Sequence, residues 1–517
     1  MSVELWLVVA YVGVHALLCV HGLHRAWLQL QLLRTDPVPV PPAPETWPLV
    51  CVQLPVFNER NVVVRAIEAA ATLDYPRGKL HIQVLDDSTD DTTDLARATC
   101  ERLRDRGFRA DVVHRTDRTG FKAGALDHGL TLTDADRIAI FDADFLPAPD
   151  FLRRTVPYLE QGIGMVQARW GHLNADARVH TLLQSILLDG HFVVEQLARY
   201  RGRRWHQFNG TAGIWRRDTI ARAGGWEHDT LTEDLDLSYR AQIVGERFVY
   251  LPDLVCPAEV PPTMAAFKAQ QHRWGKGMVQ AAKKSLGRIL RSNASLGHKL
   301  EAALHLTSVF TWPLVALVSV PLPLGIWARQ QGLLHVHWSV DLTLFLLATV
   351  SIFSFYVVSA IGAGRAHLGV RLLAVPLAMA LGVGLAVAQC KAVWEGLFGE
   401  VGVFVRTPKA GDAGQSSYLA RIDWIVVVEA IMAVWLLGAA VWAATEGLLG
   451  AVPFLALFGV GYGLIAGHTL AETLARFLAS NQNSTPTAAR PGSQVTAHSH
   501  AGSDHAPVAA SYPESTP

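Results

Sequence analysis

The sequence is poor in cysteine and has no excess of charge of either sign. Its 517 residues include five scattered cysteines, none of them paired at short spacing: Cys19, Cys51, Cys100, Cys256 and Cys390. That scatter gives no disulfide framework and no cysteine-based zinc site, and it suits a reducing compartment. Lysine and arginine together number 45, as do aspartate and glutamate, so the overall charge does not indicate nucleic-acid binding.

Charged residues are also missing from long stretches of the chain. They concentrate between Cys51 and Leu300, whereas apolar runs occur at the N-terminus and after residue 300. Runs of about 20 apolar residues are long enough to cross a bilayer as helices. The runs of this kind are Leu5–Leu23, Leu306–Trp327, Leu342–Ile361, Ile425–Ala444 and Leu448–Leu470. The sequence therefore predicts a multi-pass membrane protein, in contact with lipid, with one large polar domain after its first span.

The N-terminal apolar run lacks the basic segment that precedes a cleaved signal peptide. Arg25 and Arg34 follow it instead, which predicts an uncleaved transmembrane helix over 1–24 whose C-terminal side is cytoplasmic. A proline-rich linker covers 25–48. We expect the polar domain over 49–262 to be cytoplasmic, beneath a plasma membrane of the bacterial inner-membrane type.

Within the polar domain, short apolar strands alternate with segments of helical spacing. Strands are predicted to end near Pro55, Leu85 and His114, with helices over Asn61–Thr72 and Thr92–Arg106 between them. Polar residues follow the strand ends. This alternation predicts an α/β domain with a doubly wound parallel sheet, whose ligands bind at the carboxyl ends of the strands.

The run Ile138–Phe145 ends in two carboxylates one residue apart, Asp142 and Asp144. Alternate residues of a strand share a face, so the two side chains are expected to point the same way. Two like charges held so close favour a bound cation, and a hard divalent ion bridging carboxylate and phosphate oxygens meets that need. The alternative is a solvated loop after a core strand.

Several short motifs occur in a fixed order along the polar domain. They are Pro55-Val56-Phe57-Asn58-Glu59, Asp86-Asp87-Ser88, Lys122-Ala123-Gly124, Asp142-Ala143-Asp144, Thr232-Glu233-Asp234 and Gln270-Gln271-His272-Arg273-Trp274. The set resembles the processive inverting glycosyltransferases of family 2, which include the cellulose, mannan and hyaluronan synthases. The amino-acid sequence around the motifs is most similar to that of the cellulose-synthase-like β-mannan and glucomannan synthases. The resemblance implies a catalytic domain of the GT-A type, Rossmann-like, inserted between transmembrane helices.

The resemblance also implies roles for individual residues. Asp234 would be the general base, and Asp142 and Asp144 would hold Mg²⁺ or Mn²⁺. The nucleotide sugar would contact Pro55, Asn58, Glu59, Asp87, Lys122, Asp142 and Arg273. The acceptor would contact Trp274, Asn209, Gly210, Thr211 and Glu233.

Each of these residue types also has a structural explanation. Aspartates after a strand can cap the next helix, Lys122 can be a solvated lysine, and a carboxylate near a helix start complements the helix dipole, as at Asp234. The stretch around Trp274 can be an amphipathic helix on an anionic membrane surface. Loop packing explains Asn209 and its neighbours nearly as well.

The C-terminal half divides into three predicted parts. Residues 263–300 are expected to form amphipathic interface helices, and 301–478 a transmembrane region in which Val375–Phe398 is surface-lying or re-entrant. By resemblance, 399–423 is a gating loop over the nucleotide, with Thr407 and Lys409 as its contacts. The tail over 479–517 has a composition typical of disorder.

The sequence thus predicts a membrane-embedded β-glycosyltransferase that extends a polysaccharide from GDP-mannose or UDP-glucose. The polymer would be a β-1,4-mannan or glucomannan, or a cellulose-like glucan. One alternative is a lipid glycosyltransferase that adds a single sugar. A more distant one is a transporter or sugar-nucleotide sensor without turnover, although a transporter is expected to have charges inside its spans.

Overall fold

A computed structural model of the chain describes residues 3–34, 39–333, 337–364, 367–402 and 423–483. Contacts divide the chain into two units, Met1–Thr473 and Leu474–Pro517. Of the second unit, the described residues only continue the last helix. The predicted gating contacts Thr407 and Lys409, and most of the predicted tail, lie outside the described residues.

The polar domain is built on one seven-stranded sheet with the strand order β3-β2-β1-β4-β6-β5-β7. The strands are β1 (Val50–Val56), β2 (Leu80–Asp86), β3 (Arg109–His114), β4 (Arg137–Ile140), β5 (Met165–His172), β6 (Gly213–Arg216) and β7 (Phe248–Ala258). Strands β1 and β2 are almost entirely buried, as expected of parallel strands covered on both faces.

The helices of this domain lie on both faces of the sheet. They are α2 (Val63–Ala71), α3 (Thr92–Asp105), α4 (Phe121–Thr131), α5 (Phe151–Glu160), α6 (Val179–Asp189), α7 (Leu197–Arg201), α8 (Arg217–Arg222) and α9 (Glu233–Ile243). Helices α2, α3 and α5 contribute to one hydrophobic core, whereas α4, α8 and α9 contribute to another. Short 3-10 turns at Arg77–Lys79 and Ala175–Ala177 and a π-helical segment at Gly190–Gln196 complete the domain.

The sheet is mixed, which corrects the expectation of a parallel one. Strands β3, β2, β1 and β4 are parallel to one another, but β6 is antiparallel to both β4 and β5. After β5 the chain passes through several helices. It then returns to the sheet as β6 from the same end of the strands at which β5 finished, with Gln167 opposite Gly213. That connection requires β6 to run in the opposite direction to β5.

The run Ile138–Phe145 is a strand only as far as Ile140. A turn follows, closed by the bond from the Phe145 N–H to the carbonyl of Asp142 at 2.9 Å. The two predicted metal ligands therefore lie in the turn after β4 and not on the strand itself.

Most of the remaining helices are apolar, and one of them, Met264–Arg291, is long and has many charged residues. They are α1 (Val3–Gln31), α10 (Met264–Arg291), α11 (Leu296–Thr307), α12 (Thr311–Ser319), α13 (Leu322–Gln330), α14 (Trp338–Leu344), α15 (Ser351–Gly362), α16 (Leu368–Gly384), α17 (Ala386–Phe398), α18 (Trp424–Thr445) and α19 (Val452–Asn483). A 3-10 turn, Ser308–Phe310, joins α11 to α12, and a π-helical segment, Phe345–Val350, joins α14 to α15.

Four helical stretches of the searched residues are long and apolar enough to cross a membrane: Leu296–Ser319, Leu342–Gly362, Trp424–Thr445 and Val452–Leu478. The pair α16 and α17, bent by 44°, passes as a fifth if it is one broken span; this pair contains the segment predicted to be re-entrant. These helices are compatible with a multi-pass membrane protein.

The first of these stretches begins ten residues before the predicted start at Leu306. It ends at Ser319, and α13 starts separately after Pro321. Proline lacks the N–H that a continuing helix needs, which explains the break. The early start was hidden because Glu301 and His305 interrupt the apolar pattern, and both side chains are buried against polar partners.

Candidate active site

The polar motifs of the sequence meet in one cleft at the carboxyl ends of β1, β2 and β4. The cleft has a volume of about 170 Å³. Among the residues predicted for the site, its lining includes Pro55, Glu59, Asp87, Lys122, Asp142, Asp144, Asn209, Gly210, Glu233, Asp234, Arg273 and Trp274. Residues separated by more than 200 positions in the chain thus share one wall, at the place where open α/β sheets bind ligands.

Two residues predicted for the site do not line the cleft. The Asn58 amide oxygen accepts the Thr89 N–H at 2.8 Å, which fixes the side chain in the turn after β1. Thr211 is fully buried behind the cleft, and its hydroxyl accepts the Asp142 N–H at 2.9 Å. Thr211 therefore holds the turn that carries the acidic pair.

Asp142 and Asp144 both line the cleft, although they differ in exposure. The Asp142 side chain is 36% exposed, whereas Asp144 is almost fully buried. Mg²⁺ and similar hard cations are commonly held by one or two carboxylates together with substrate phosphates. The two side chains fit such an ion as donors, and a nucleotide diphosphate in the cleft would supply the remaining oxygens.

Lys122 lines the cleft and belongs to the first turn of α4. Its Nζ donates to Asp142 Oδ1 at 2.5 Å and to the Gly210 carbonyl at 2.9 Å. Burial favours the neutral amine, but the charges of Asp142 and Glu233 outweigh it and raise the pKa of Lys122 above its ordinary value. The side chain is therefore a fixed cation, suited to an anionic phosphate group.

Asp234 is the second residue of α9 and lies opposite Gly210. Its Oδ1 accepts the Leu235 N–H at 2.8 Å, while Oδ2 faces Gly210, where an added Cβ would lie 3.0 Å away. Gly210 also has a φ of +80°, so this position favours glycine both by space and by backbone conformation.

The electrostatics of Asp234 suit proton transfer. Burial and the adjacent carboxylate of Glu233 raise the pKa of Asp234 to about 7, against the lowering effect of the Lys122 charge. Burial also raises the pKa of Glu233. A carboxylate with a pKa near neutrality is matched to the task of a general base.

Asp87 is paired with an arginine that the sequence analysis did not single out. Arg115 grips both of its oxygens, Nε to Oδ1 at 2.7 Å and Nη2 to Oδ2 at 2.6 Å. Next to this pair the guanidinium of Arg118 lies 3.3 Å from the centre of the Phe57 ring. Arg118 and Phe57 also line the cleft. Both arginines follow closely after the end of β3. Because the carboxyl ends of parallel strands lie at one edge of a sheet, the sequence could have predicted that both arginines lie near the cleft.

Helix α10 brings Arg273 and Trp274 to the cleft and packs closely on its neighbours. A Cβ added at Gly275 would lie 2.2 Å from Gln389 Oε1 of α17, and one at Gly277 would lie 2.5 Å from Thr232 Cγ2. The N-terminus of α10 is capped by the Thr263 hydroxyl and by Glu472, which accepts the Met264 N–H at 2.6 Å. The helix thus connects the polar domain with the apolar helices.

A second cavity of about 300 Å³ adjoins the cleft. The two share the side chains Trp170, Leu188, Asn209, Thr232, Asp234 and Trp274. We call this second cavity the inner chamber. Its other walls come largely from α1, α6, the π-helical segment Gly190–Gln196, α10 and the helices around Trp312 and Gln389. Asp234 therefore lies on a wall common to the cleft and to a chamber among apolar helices.

One further acidic group was found among the described residues, namely Glu227, Asp229 and Asp236. Lys284 Nζ donates to all three, at 2.5 Å to Asp229 and 3.0 Å to Asp236. Because a lysine already supplies the counter-charge, this group is explained without a metal ion.

Comparison with known proteins agrees with this geometry. Residues 48–277 match the family described as "Glycosyltransferase like family 2". Glucomannan 4-beta-mannosyltransferase 1 of Oryza sativa subsp. japonica is 44% identical over 269 residues, 50% of this chain and 51% of that protein. Glucomannan 4-beta-mannosyltransferase 2 of Arabidopsis thaliana is 44% identical over 252 residues, 48% of this chain and 47% of that protein.

The chain spans about half the length of the curated relatives it matches. Among solved structures, the mannosyltransferase PcManGT from Pyrobaculum calidifontis, in complex with GDP-Man and Mn²⁺, aligns with a TM-score of 0.49 at 23% identity. That alignment covers 76% of this chain and 98% of the other. The likeness in sequence covers the catalytic segment, and with the mixed sheet it confirms the GT-A-like fold expected from the motifs. Residues 48–277 are therefore similar in sequence to the glycosyltransferases of family 2.

Proposed function

We propose that the protein is a membrane-embedded processive β-glycosyltransferase. It transfers a hexose from a nucleotide sugar to the non-reducing end of a growing β-linked polysaccharide. The single observation that carries this proposal is the position of Asp234, on the wall that the cleft shares with the inner chamber. A base placed there meets a donor on one side and an acceptor on the other.

The donor is proposed to lie in the cleft beside Lys122 and Arg273. These two cations face the place where the diphosphate would leave, and fixed positive charge stabilises such a leaving group. Mg²⁺ or Mn²⁺ held by Asp142 and Asp144 would supply further charge neutralisation there. Asp87, Glu59 and Pro55 would line the nucleoside end.

The acceptor is proposed to enter from the inner chamber. Asp234 would take the proton of the acceptor hydroxyl while that oxygen forms its bond to the anomeric carbon. The bond from this carbon to the diphosphate oxygen breaks, with its electron pair leaving on the diphosphate. Attack from the face opposite the leaving group inverts the anomeric configuration and gives a β-linkage from an α-linked donor.

The aromatic lining of the inner chamber favours a sugar polymer as the acceptor. Trp170 lies 4.8 Å from Phe192 and 6.4 Å from Trp274, measured between ring centres. Flat aromatic rings suit the apolar C–H faces of pyranose sugars. Because apolar helices form part of the chamber wall, we propose that the chamber leads the polymer into the membrane region.

The donor is proposed to be GDP-mannose, with UDP-glucose as the second choice. Support for mannose comes from the glucomannan 4-beta-mannosyltransferases that resemble the catalytic segment. The catalytic domain is proposed to face the cytoplasm, since Arg25 and Arg34 follow the first apolar run. That side also supplies nucleotide sugars.

The test is to incubate purified protein with radiolabelled GDP-mannose or UDP-glucose, with and without Mg²⁺ or Mn²⁺. An alcohol-insoluble product digested by β-mannanase is expected from GDP-mannose, with loss of product when the metal is chelated. A product extractable into organic solvent as a monoglycoside would instead favour a lipid glycosyltransferase. The Asp234→Asn variant is expected to lose at least about 100-fold in rate while still binding GDP.

The matched control for this variant is Asp94→Asn. Asp94 lies in the first turn of α3, as Asp234 does in α9, but it is exposed and outside the cleft. Full activity of Asp234→Asn would contradict the assignment of the base.

A further inference from the structure

His191 connects two polar side chains of the inner chamber. Its Nε2 lies 2.8 Å from Asn209 Oδ1 and its Nδ1 lies 3.1 Å from Glu195 Oε2. Both neighbours are oxygen atoms that accept hydrogen bonds. The ring therefore bridges the amide oxygen of Asn209 and the carboxylate of Glu195.

These contacts fix the orientation of the Asn209 amide. Its Oδ1 also accepts from Gln207 Nε2 at 2.8 Å, so two donors hold the oxygen side. The amide Nδ2 is buried and has no hydrogen-bond partner among the described residues, and the residue is only 8% exposed. Asn209 lines both the cleft and the inner chamber, so an unused donor lies next to the general base.

Glu195 is held in turn by a chain of buried charges. Arg199 Nη2 lies 3.6 Å from Glu195 Oε2, and Arg199 Nε donates to Glu301 Oε1 at 2.9 Å. Burial alone would raise the pKa of Glu195, but the hydrogen bond from His191 and the charges of Arg199 and Arg25 outweigh it and hold the pKa well below the ordinary value. The carboxylate therefore stays ionised and keeps its grip on His191.

The backbone around His191 is unusual in a way that serves this arrangement. His191 and Glu195 lie in the π-helical segment Gly190–Gln196, between α6 and α7. Such widened turns are rare and occur often at functional sites. A Cβ at Gly190 would lie 2.7 Å from the Phe355 ring, so the segment is packed tightly against α15 and has little freedom to move.

We infer that His191 and Glu195 are positioning residues, which aim the amide N–H₂ of Asn209 at a hydroxyl group of the acceptor sugar. This inference rests on the proposed function. It adds that His191 and Glu195 act on acceptor binding through Asn209, without contacting the donor themselves. A buried amide donor without a hydrogen-bond partner costs free energy. The buried Asn209 amide therefore also favours binding of a ligand that carries a hydroxyl group.

The test uses initial-rate kinetics with β-1,4-mannohexaose as acceptor and radiolabelled GDP-mannose as donor. In His191→Gln the side-chain N–H₂ would donate to the Glu195 carboxylate, which leaves the side-chain carbonyl facing Asn209 Oδ1, so the hydrogen bond donated to Asn209 is lost. The KM for mannohexaose is expected to rise about tenfold, while the KM for GDP-mannose changes by less than about twofold.

A double variant, His191→Gln with Glu195→Gln, separates positioning from general damage. The amide of the new residue 195 can donate to the carbonyl at 191, which lets the amide at 191 donate to Asn209. Recovery of most of the lost acceptor affinity is expected. The control is His81→Gln, because His81 is also bonded through both nitrogens, to Thr133 and Asp111, and is more deeply buried than His191, but it does not line either cavity.

An unchanged KM for mannohexaose in His191→Gln, an equal rise in both KM values, or no recovery in the double variant would overturn the inference. Absence of transfer by the wild type would refute the proposed function separately. Binding of mannohexaose, followed by tryptophan fluorescence, then decides the inference without turnover. Weaker binding by His191→Gln than by the wild type supports it, and equal binding or none by either overturns it.

Discussion

Asp234 and Glu233 are adjacent carboxylates that share one buried environment, and the charge of each raises the cost of ionising the other. Burial comes first among the causes that raise the pKa of Asp234, and the charge of Glu233 second. The Lys122 ammonium and the helix N-terminus oppose both effects. The balance leaves a base that changes its protonation near neutrality.

This balance predicts how activity depends on pH. Below about pH 7 Asp234 takes up a proton and cannot act as a base, so kcat/KM is expected to fall about tenfold for each pH unit lost. Replacing Glu233 by Gln removes the neighbouring negative charge, which lowers the pKa of Asp234 and moves this acidic limb to lower pH. The measurement is kcat/KM for GDP-mannose from about pH 5 to pH 9 in both proteins.

A limb that stays in place in Glu233→Gln would show that another group governs the profile. A substitution of Lys122 is not a suitable control for this pH profile, because Lys122 lines the cleft. Asp94→Asn serves instead, since its side chain is exposed on α3, and its profile is expected to match that of the wild type.

At this scale the sequence predicted which motif residues share a cleft but not how they are engaged. Asp87 was expected to contact the nucleotide and does line the cleft, but its pairing with Arg115 through both oxygens was not anticipated. Asn58 was expected at the nucleotide, yet its side chain bonds to Thr89. Such pairings depend on three-dimensional distances between turns, which spacing along the chain does not encode. His191 carried no signal, because a histidine four residues before a glutamate is ordinary on any helix.

Helix α10 is the element that ties the catalytic domain to the apolar helices, and its glycines set how close they come. A Cβ at Gly277 would lie 2.5 Å from Thr232 Cγ2 and 3.1 Å from the Thr232 backbone nitrogen. Thr232 immediately precedes Glu233 and Asp234. The spacing between α10 and α9 thus determines where Asp234, the proposed general base, is held.

Gly277→Ala is therefore expected to lower kcat by about 100-fold, since a shift of about 1 Å in a catalytic group has an effect of that size. The control is Gly287→Ala on the same helix, where the added Cβ meets only the flexible end of Arg291 at 3.1 Å. That control is expected to keep full activity and to gain slightly in stability. Equal activities of the two variants would show that α10 does not constrain the base.

A second link between α10 and the apolar helices is the ion pair of Lys268 with Glu429 of α18. Lys268 Nζ donates to both carboxylate oxygens at 2.9 Å, and the Glu429 side chain is fully buried. Removing one partner of such a pair leaves an uncompensated charge. Lys268→Met is expected to destabilise the protein by about 3–5 kcal/mol, measured as a lowered midpoint of thermal unfolding in detergent.

The double variant Lys268→Met with Glu429→Leu is expected to regain most of that stability, because no buried charge then remains. Arg154→Met is the matched control, since its pair with Asp150 is exposed and contributes less than about 1 kcal/mol. A double variant as unstable as the single one would indicate that packing around Lys268, and not charge, is responsible.

The elements themselves were predicted best where the chain is most regular. Strands β1 and β2 are runs of buried β-formers and lie where the sequence indicated. Strand β6 was missed because four residues give no periodicity, and its direction depends on the excursion before it. The early start of the span at Leu296 was missed because the polar side chains of Glu301 and His305 find buried partners that hydropathy cannot anticipate.

For the whole molecule, the important relation is between the cleft and the inner chamber. The chamber is walled in part by helices long and apolar enough to cross a membrane. A polymer elongated at Asp234 would grow into that chamber and away from the donor. The proposed general base, Asp234, would then line the proposed exit path of the polymer.

This relation predicts vectorial synthesis. In proteoliposomes given labelled GDP-mannose from outside, the polymer is expected to resist external β-mannanase until detergent opens the vesicles. Polymer made by the same protein in detergent solution is the control and is expected to be digested at once. Polymer digested equally in sealed vesicles would show that the chamber does not lead across the bilayer.

The contact between Lys122 and Asp142 has a consequence for the order in which ligands arrive. In the empty protein the ammonium already satisfies this carboxylate, so a lone cation has to compete with it. A cation that arrives with a diphosphate gives the ammonium a new anionic partner at the same moment. We therefore expect cooperative binding, in which nucleotide and cation bind as one complex and magnesium alone binds weakly.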